Sequence, residues 1–271
     1  MRGRVLIIAG SDSGGGAGIQ ADIKTITVLD AYAATAITAL TAQNTEGVFG
    51  VLAIPPEFIR RQIEVVLDDI GADVVKTGML HDAAVIEATV AVLQERAAAI
   101  PIVVDPVMVA KGGARLIDPA ALAALTRLLI ARAEIVTPNL PEAEILCGMT
   151  IRNVAEMRAA GETLLGLGCR AALVKGGHLS GETVSDVLVT AGEVRVWETR
   201  RITTRHTHGT GCTLASAIAA GLAQGLGVAE AVDRARKYVQ RAIAGAPGLG
   251  RGHGPLDHAH PLHSDRAASN G

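Results

Sequence analysis

Short aliphatic runs alternate with longer helical patterns along most of the chain. The runs predict strands over Val5–Ala9, Val48–Ile54, Val74–Thr77, Ile102–Asp105, Ile135–Thr137, Ala172–Lys175, Ser185–Val189 and Val194–Thr199. The helical patterns cover Gly18–Leu29, Pro56–Asp69, Ala83–Ala98, Pro119–Leu129, Pro141–Leu146, Val154–Leu167, Cys212–Gln224 and Val228–Ala244. Unbroken apolar strands are typical of a parallel sheet that is buried on both faces, and strand–helix alternation implies right-handed crossovers. The pattern therefore predicts an α/β fold with helices on both faces of a mainly parallel sheet.

The last two predicted strands are joined by the short segment Thr190–Glu193, which predicts a hairpin and an antiparallel edge of the sheet. No linker rich in Pro, Gly or Ser divides the chain, and no internal repeat is evident. We therefore expect one domain over residues 1–260, followed by a disordered tail over residues 261–271. Four histidines lie near the end of the chain, at His253, His258, His260 and His263. Without cysteine or clustered carboxylates beside them, a solvated tail is favoured over a metal site.

Composition and charge narrow the class of protein further. Hydrophobic residues make up 49% of the chain but aromatic residues only 2%, so the core must consist mainly of Ala, Val, Leu and Ile. The net charge of −2 gives no electrostatic support for a nucleic-acid partner or an anionic membrane surface. No apolar run approaches the roughly 20 residues that span a bilayer, and the run Val5–Ala9 is too short for a signal peptide. Three cysteines without a CxxC pair or zinc spacing are typical of the reducing cytoplasm.

The segment Thr207–Thr213 reads as a glycine-rich turn that opens a helix, because it runs directly into the Ala-rich stretch Leu214–Leu222. Free backbone N–H groups and the positive end of the helix dipole would converge at this turn and favour an anion, such as a phosphoryl group in transfer. The same field would lower the pKa of the Cys212 thiol. The alternative is a plain helix start that needs glycine for its geometry and buries a small cysteine.

A second glycine-rich segment, Gly10–Gly18, lies between a predicted strand and a helix, where open α/β sheets place ligand contacts. Gly16–Ala21 fits the loose GxGxxG/A pattern of dinucleotide sites. However, two prolines follow Val48–Ile54, where the acidic residue of such a site would be expected, so a dinucleotide site is disfavoured. A P-loop is excluded because no GxxxxGK[ST] segment occurs. A substrate-contacting loop and a turn that needs positive φ remain as alternatives.

Polar residues suited to phosphate chemistry follow three further strands. Asp105 ends a strand and could hold Mg²⁺ directly or through water. Asn139 and Glu142 follow another strand and could face the same crevice, or could cap a helix and supply its first-turn acid. Lys175 precedes a glycine turn and offers an ammonium group to a nucleotide phosphate. Because the carboxyl ends of parallel strands meet at one edge of a sheet, we expect these groups to converge.

Two other polar residues have both a functional and a structural interpretation. Gln43, next to Asn44, can donate and accept together, which suits a heteroaromatic ring with a ring nitrogen and an amine. A role in a turn is the alternative. Lys237 falls in the last predicted helix on a face shared with Asp233 and Arg241, so a phosphate contact and a surface lysine both remain open.

Together these motifs resemble those of the hydroxymethylpyrimidine/phosphomethylpyrimidine kinases, a thiamine-biosynthesis family of the ribokinase-like superfamily. The motifs occur in the order of the family and cover roughly residues 5–260. They are AGSD at 9–12, GGAGIQAD at 15–22, ITAL at 37–40, AQNT at 42–45, KTGML at 76–80, DPVM at 105–108, TPNLPEA at 137–143, KGGH at 175–178 and THGTGCT at 207–213. The resemblance implies a three-layer α/β/α fold and a cytoplasmic, homodimeric enzyme that uses ATP and Mg²⁺.

The resemblance also implies an activity and residue roles. The enzyme would phosphorylate 4-amino-5-hydroxymethyl-2-methylpyrimidine with ATP, and then its monophosphate to the diphosphate. Gln43 matches the residue that holds the pyrimidine, in a pocket lined by Gly10, Asp22, Met79 and Val107. Cys212 matches the catalytic base, and Gly209 and Gly211 would supply N–H groups to the transferred phosphoryl group. Phosphate contacts fall to Asn139, Thr210, Lys175 and Lys237, and Mg²⁺ contacts to Asp105 and Glu142.

Three other functions compete with this interpretation. A pyridoxal kinase of the same superfamily would act on another small ring with a hydroxymethyl group. A non-catalytic pyrimidine-binding protein would have no need to keep Cys212, Glu142 and Lys175 together. An NAD-binding oxidoreductase is disfavoured because the ribose-binding carboxylate is missing.

Overall fold

The computed structural model describes residues 1–108 and 118–263, and nine strands in this part of the chain form one sheet. The strands are β1 (Arg4–Asp12), β2 (Tyr32–Gln43), β3 (Val48–Ala53), β4 (Val74–Thr77), β5 (Ile102–Val104), β6 (Ile135–Val136), β7 (Ala171–Lys175), β8 (Thr183–Thr190) and β9 (Val194–Arg200). Their order across the sheet is β3-β2-β1-β4-β5-β6-β7-β8-β9. The prediction of a single domain over residues 1–260 stays a prediction, and most of the predicted tail, residues 264–271, lies outside the described residues.

The sheet is parallel from β2 to β7 and antiparallel at both edges. At one edge β8 pairs with β7 and β9 with β8, which confirms the predicted hairpin. At the other edge β3 pairs antiparallel with β2, an edge that the sequence did not predict. The mainly parallel sheet is therefore confirmed, with one more antiparallel edge than expected.

The strand β2 was missed because it has no aliphatic run. Its twelve residues are mostly Ala and Thr, and alanine has a weak preference for strands. Pairing with β1 over Arg4–Ala9 nevertheless holds it next to the centre of the sheet, and alternate positions are buried. Tertiary packing thus overrides a weak local signal, and β2 delivers Gln43 to the end of the sheet where β1 also ends.

The helices agree closely with the predicted ones. They are α1 (Gly18–Val28), α2 (Pro56–Asp69), α3 (Ala83–Arg96), α4 (Pro119–Ala124), α5 (Leu140–Cys147), α6 (Val154–Gly166), α7 (Thr210–Ala223) and α8 (Val228–Ala244). The predicted helix Pro119–Leu129 changes its winding after Ala124, with a π-turn over Leu125–Leu129 and a 3-10 turn over Ile130–Arg132. No helix in residues 1–108 or 118–263 is long and apolar enough to cross a membrane.

Alternate side chains of β1 point into two separate hydrophobic clusters. Leu6 and Ile8 pack with residues of α2 to α6, whereas Val5 and Ile7 pack with residues of α1, α7 and α8. All four side chains are at most 1% exposed. The sheet is therefore the middle of three layers, which confirms the α/β/α arrangement. It also brings the N-termini of α1 and α7 to the same face, beyond the carboxyl ends of the strands.

The segment after α8 returns to this end of the sheet, which corrects the prediction of a solvated histidine tail. His258 is only 5% exposed and lies 3.0 Å from the Thr213 hydroxyl in the first turn of α7. Upstream, the His253 N–H donates to the Thr45 carbonyl, and the His208 N–H donates to the Gly254 carbonyl. No group of three potential metal ligands occurs among the described residues. The segment instead lies between the loop that follows β2 and the loop that precedes α7, and it is hydrogen-bonded to both.

Candidate active site

The glycine-rich loop after β1 is organised by the Asp12 carboxylate. This side chain is 3% exposed and accepts hydrogen bonds from the N–H groups of Gly14, Gly16 and Ala17, at 2.8, 3.1 and 2.8 Å. Burial would raise the pKa of Asp12, but the hydrogen bonds from His208 and these N–H groups hold it below its usual range. Gly15 adopts a φ of 76°, so the positive-φ interpretation of this loop is confirmed.

The second glycine-rich turn caps α7 and touches the first loop. Gly209 is the N-cap residue with a φ of 81°, and a Cβ atom there would overlap the Gly16 carbonyl oxygen. Only glycine therefore fits. The Thr210 hydroxyl donates to the Thr207 carbonyl at 2.7 Å and closes the turn. The predicted glycine turn at a helix start is confirmed, and the contact between the two loops joins the starts of α1 and α7.

Cys212 lies between these two helix starts. It is the third residue of α7, and the backbone N–H of Gly18, the first residue of α1, is close enough to lower the pKa of its thiol. The first-turn N–H groups of a helix have no acceptor within the helix, so both helices present partial positive charge here. The geometry thus places a thiol beside two anion-attracting helix ends.

The pKa of the Cys212 thiol nevertheless differs from the predicted direction. Burial raises it to about 12, the carboxylates of Asp22 and Asp105 add to the increase, and the Lys76 ammonium opposes it. In the substrate-free protein the effect of burial on this pKa outweighs that of the Lys76 ammonium and the Gly18 N–H. The expectation of a thiolate near neutral pH is therefore wrong for this state.

A buried ion pair lies beneath Cys212. The Lys76 ammonium is 2.9 Å from both carboxylate oxygens of Asp22, and both side chains are fully buried. The Ser216 hydroxyl, one turn after Cys212 in α7, donates to Asp22 at 2.7 Å. The resemblance had assigned Asp22 to the lining of the pocket. Its carboxylate is instead fully engaged with Lys76 and Ser216.

Two of the predicted phosphate and metal residues, Lys175 and Asp105, converge on the other side of the α7 start. The Lys175 ammonium lies 3.3 Å from the Asp105 carboxylate, which is 3% exposed and also 3.4 Å from the Thr137 hydroxyl. A Cβ atom on Gly211 would lie 3.3 Å from the Lys175 nitrogen and 3.5 Å from Asp105 Oδ2. The expected convergence of strand ends is therefore seen around the first turn of α7.

Asn139 and Glu142 cap a helix, as their structural alternative predicted, and Glu142 also lies near Asp105 and Lys175. They form a reciprocal capping box at the start of α5: Asn139 Oδ1 accepts from the Glu142 N–H at 3.0 Å, and Glu142 Oε2 accepts from the Asn139 N–H at 2.9 Å. Burial and the neighbouring Asp105 raise the pKa of Glu142 to about 7, although Lys175 opposes the shift. Ionising Glu142 beside the Asp105 carboxylate is therefore unfavourable unless a further cation binds next to them.

The predicted substrate residues lie around the ends of β1, β2 and β4. A Cβ atom on Gly10 would come within 2.7 Å of the Met79 side chain, so these residues are in contact. The Gln43 amide lies 3.2 Å from His208 Nε2 and 3.2 Å from the Thr41 hydroxyl. Val107 is half-buried two residues after Asp105. The structure therefore places Gly10, Met79 and Gln43 at the ends of these strands, and the contact of Val107 with the substrate stays a prediction.

Lys237 stands apart from the convergent groups. Its side chain is 68% exposed and its ammonium lies 2.6 Å from Asp233, one turn earlier in α8. It borders a surface cavity of about 430 Å³ together with Ile202 and Gln240. The surface-lysine interpretation describes this geometry, and a phosphate contact of Lys237 stays a prediction.

Sequence reasoning gave no separate role to Asp12, Lys76, His208 and Ser216. Lys76 carried the strongest signal, because a charged residue inside a four-residue buried strand requires a buried partner. The partner itself lies 54 positions away in another element, and no local pattern indicates that distance.

Comparison with known proteins places this geometry in a family. Residues 12–257 match the family described as phosphomethylpyrimidine kinase. The chain is 45% identical over 256 residues to the hydroxymethylpyrimidine/phosphomethylpyrimidine kinase of Bacillus subtilis, with 94% of each chain covered. It is also 52% identical over 257 residues to the thiamine biosynthesis bifunctional protein ThiED of Geobacter sulfurreducens. That alignment includes 95% of this chain but only 52% of the relative, so the chain spans about half of that protein.

The fold is also that of a solved kinase. The crystal structure of an ADP complex of Bacillus subtilis pyridoxal kinase superposes with a TM-score of 0.90 at 37% sequence identity and covers 97% of this chain and 99% of that chain. The expected ribokinase-like architecture is confirmed, and with it the class of phosphotransferase. The chain belongs to the phosphomethylpyrimidine kinase family.

Proposed function

We propose that this chain transfers the γ-phosphoryl group of ATP to the hydroxymethyl group of 4-amino-5-hydroxymethyl-2-methylpyrimidine, and then phosphorylates the monophosphate to the diphosphate. The observation that carries this proposal is the position of Cys212, between the starts of α1 and α7 and next to the Lys175–Asp105 pair. The activity named for the full-length Bacillus subtilis relative supports it. A non-catalytic binding protein would not need such a phosphate cluster.

In the first step the substrate oxygen attacks the γ-phosphorus, the bond from that phosphorus to the leaving oxygen of ADP breaks, and the hydroxyl proton must leave. Cys212 accepts this proton as its thiolate. Since burial keeps the thiol protonated in the substrate-free protein, its pKa must fall when substrates bind. The Lys76 ammonium and the Gly18 N–H are the groups that stabilise the thiolate. The remaining rate enhancement comes from positioning and electrostatics, as is usual in phosphoryl transfer.

The first turn of α7 stabilises the charge on the transferred group. The N–H groups of Gly209, Gly211 and Cys212 would donate hydrogen bonds to the phosphoryl oxygens, and the helix dipole would add to their effect. The Lys175 ammonium would neutralise charge on the nucleotide phosphates, and the Asn139 side chain would donate a hydrogen bond to them. Thr210 holds the turn closed through its own hydrogen bond to Thr207.

The residues present fit a magnesium ion that is shared with the nucleotide. Asp105 keeps one oxygen, Oδ2, directed at the α7 start, while Oδ1 accepts from Lys175 and Thr137. Glu142 has a pKa raised to about 7 that a nearby cation would lower again. Mg²⁺ usually takes one or two carboxylates plus water and substrate phosphates. We therefore assign it to Asp105 and Glu142, where it would neutralise phosphate charge.

The exposed edge strand β3 and the free cysteines bear on the assembly and location of the protein. All six residues of the edge strand β3 are exposed, and Phe49, Val51 and Leu52 are 72%, 58% and 63% exposed. An edge strand with such an apolar surface is an aggregation hazard unless another strand covers it. We propose that a second copy of the chain covers it in a homodimer. The three free cysteines support a cytoplasmic location.

The test is ADP release by the purified protein with Mg-ATP, measured separately with the hydroxymethylpyrimidine, its monophosphate and pyridoxal. Turnover of both pyrimidines, with slower turnover of pyridoxal, is the expected result. Turnover of pyridoxal alone would overturn the proposal in favour of the activity of the solved Bacillus subtilis neighbour. Calorimetric binding of the pyrimidine without any turnover would favour a binding protein.

A further inference from the structure

His208 joins a buried carboxylate to the predicted substrate-binding amide. Its Nε2 atom lies 2.9 Å from Asp12 Oδ2 and 3.2 Å from Gln43 Nε2. The His208 side chain is 17% exposed and Asp12 only 3%. A Cβ atom on Gly16 would come within 2.6 Å of the imidazole, so the ring is held between the two glycine-rich loops.

The Asp12 carboxylate determines which imidazole nitrogen carries the proton. An ionised carboxylate only accepts hydrogen bonds, so an unprotonated Nε2 atom at 2.9 Å would place two lone pairs against each other. The pKa of Asp12 lies below its usual range, because its hydrogen bonds outweigh the effect of burial. His208 therefore carries a proton on Nε2 and donates it toward Asp12.

This proton in turn determines the orientation of the Gln43 amide. The oxygen and nitrogen of a carboxamide are assigned from their hydrogen-bond partners. The Thr41 hydroxyl lies 2.8 Å from the Ser11 carbonyl and 3.2 Å from Gln43 Oε1, and its single proton goes to the nearer acceptor, the Ser11 carbonyl. With Oε1 facing Thr41, Gln43 Nε2 faces the protonated Nε2 of His208, donor against donor. Turned so that its NH₂ group faces Thr41, the carboxamide places its oxygen where it shares the His208 Nε2 proton with Asp12, and no donor then faces a donor. One N–H and one oxygen lone pair then remain for a ligand.

We propose that Asp12 and His208 are positioning residues that fix the order of donor and acceptor which Gln43 offers to the substrate ring. A 4-aminopyrimidine presents a ring nitrogen that accepts and an amine that donates, which matches an amide of fixed orientation. The 4-oxo analogue presents the reverse order and would face donor with donor. Because this inference rests on the proposed pyrimidine substrate, it assigns discrimination against 4-oxopyrimidines to the Asp12–His208–Gln43 chain.

Steady-state kinetics with the 4-amino and 4-oxo substrates test the proposal. His208→Phe keeps a ring but removes the donor, and we expect it to raise KM for the aminopyrimidine about tenfold or more and to reduce the amino-over-oxo preference by about tenfold. The value of kcat should change less than KM. His208→Gln restores an N–H near the position of Nε2 and should recover most of the preference. His253→Phe is the matched control, because the His253 imidazole is hydrogen-bonded to the Arg205 carbonyl and its backbone bond to Thr45 survives the substitution.

A folded His208→Phe variant that keeps the wild-type preference, or loses kcat alone, would overturn the proposal. Nitrogen-15 NMR of labelled histidine gives a readout that needs no substrate, and we expect a protonated Nε2 on His208 that Asp12→Asn perturbs. An unprotonated Nε2 would contradict the inference. A wild-type enzyme that turns over amino and oxo pyrimidines equally would contradict the inference but leave the proposed function standing. Failure to turn over either would contradict the proposed function, and the NMR result would then still decide the tautomer.

Discussion

The Lys76 ammonium lies 2.9 Å from each carboxylate oxygen of Asp22, with neither side chain exposed, directly beneath the Cys212 thiol. Burial alone would lower the pKa of Lys76, but the neighbouring anionic groups, Asp22 foremost, raise it. Lys76 is therefore charged at every physiological pH. A cation is thus built into the core close to Cys212.

Replacing Lys76 with Met should destabilise the protein strongly. The change leaves the Asp22 carboxylate buried with only Ser216 as a partner, and breaking a buried pair in this way typically costs about 3–5 kcal/mol. The double variant Lys76→Met/Asp22→Leu removes both charges and should recover much of the loss. Urea denaturation of the three proteins gives the free energies of unfolding. A single variant as stable as the wild type would show that the pair contributes nothing.

Replacing Cys212 with Ala should reduce kcat for the first phosphorylation by about 10²–10⁴-fold, the usual contribution of a general base. The KM for the pyrimidine should barely change, because the thiol acts on the proton and not on the ring. The second phosphorylation should suffer less, since the attacking phosphate oxygen is already ionised at neutral pH. Steady-state kinetics of both steps measure this, with Cys147→Ala as the control. Parallel losses in both steps, or equal losses in kcat and affinity, would contradict the assignment of Cys212 as the base.

Lys175 and Lys237 were both predicted to contact phosphate, and their environments now suggest different outcomes. Lys175 is half-buried against Asp105 beside the α7 start, whereas Lys237 is exposed and paired with Asp233. Lys175→Met should raise KM for ATP or reduce kcat by at least about tenfold. Lys237→Met should change stability by at most about 0.5 kcal/mol, as for an exposed pair. An equal rise in KM for ATP in both variants would restore the phosphate role of Lys237.

The overall architecture could be predicted because the strongest local signals coincide with the buried strands. Apolar runs such as Val5–Ala9 and Ile102–Val104 are unbroken in sequence and buried in the sheet. Strand β2 was not predicted because it consists mainly of Ala and Thr and has no aliphatic run. Its pairing with β1 supplies the stability that its composition lacks. Local patterns report local preferences, and β2 depends on a partner more than twenty residues away.

The candidate site could be predicted as a set of residues but not as a set of contacts. The resemblance brought Cys212, Lys175 and Asp105 to one place, and these groups do converge. The direction of the Cys212 pKa shift failed because dipole and burial oppose each other, and burial is a property of the whole fold. The ion pair of Asp22 with Lys76 could not be predicted either, because it joins two elements that are 54 positions apart in sequence.

Placing charge on the apolar edge strand β3 should produce monomers if a second copy covers it. Phe49 and Leu52 are among the most exposed large apolar side chains of the described residues. Phe49→Lys/Leu52→Lys would bring like charges together across an isologous interface, and lysine is a common protection of free edges. Light scattering coupled to size exclusion measures the mass. The exposed Leu262→Lys serves as a control. A wild-type protein that is monomeric at micromolar concentration would contradict the proposed homodimer.

His258 should make the protein less stable as the pH falls from 6.5 to 4. Burial, with a smaller contribution from Lys24, lowers its pKa to about 4 from the ordinary 6.5. Between these values the unfolded chain binds a proton that the folded protein does not, so stability is present above the unfolded pKa and is lost on acidification. A difference of this size corresponds to about 3 kcal/mol at most.

The matched variant His258→Gln isolates this contribution. Its amide can occupy the position of Nε2 and keep the contact with the Thr213 hydroxyl, which lies 3.0 Å away, but it does not titrate. Urea denaturation of both proteins between pH 7 and pH 4 should show that the wild type loses more stability than the variant, and that the difference develops below pH 6.5. Parallel curves would mean that His258 is accessible to protons in the folded state. Because Thr213 lies in the first turn of α7, acid release of His258 should also loosen the catalytic helix before the sheet unfolds.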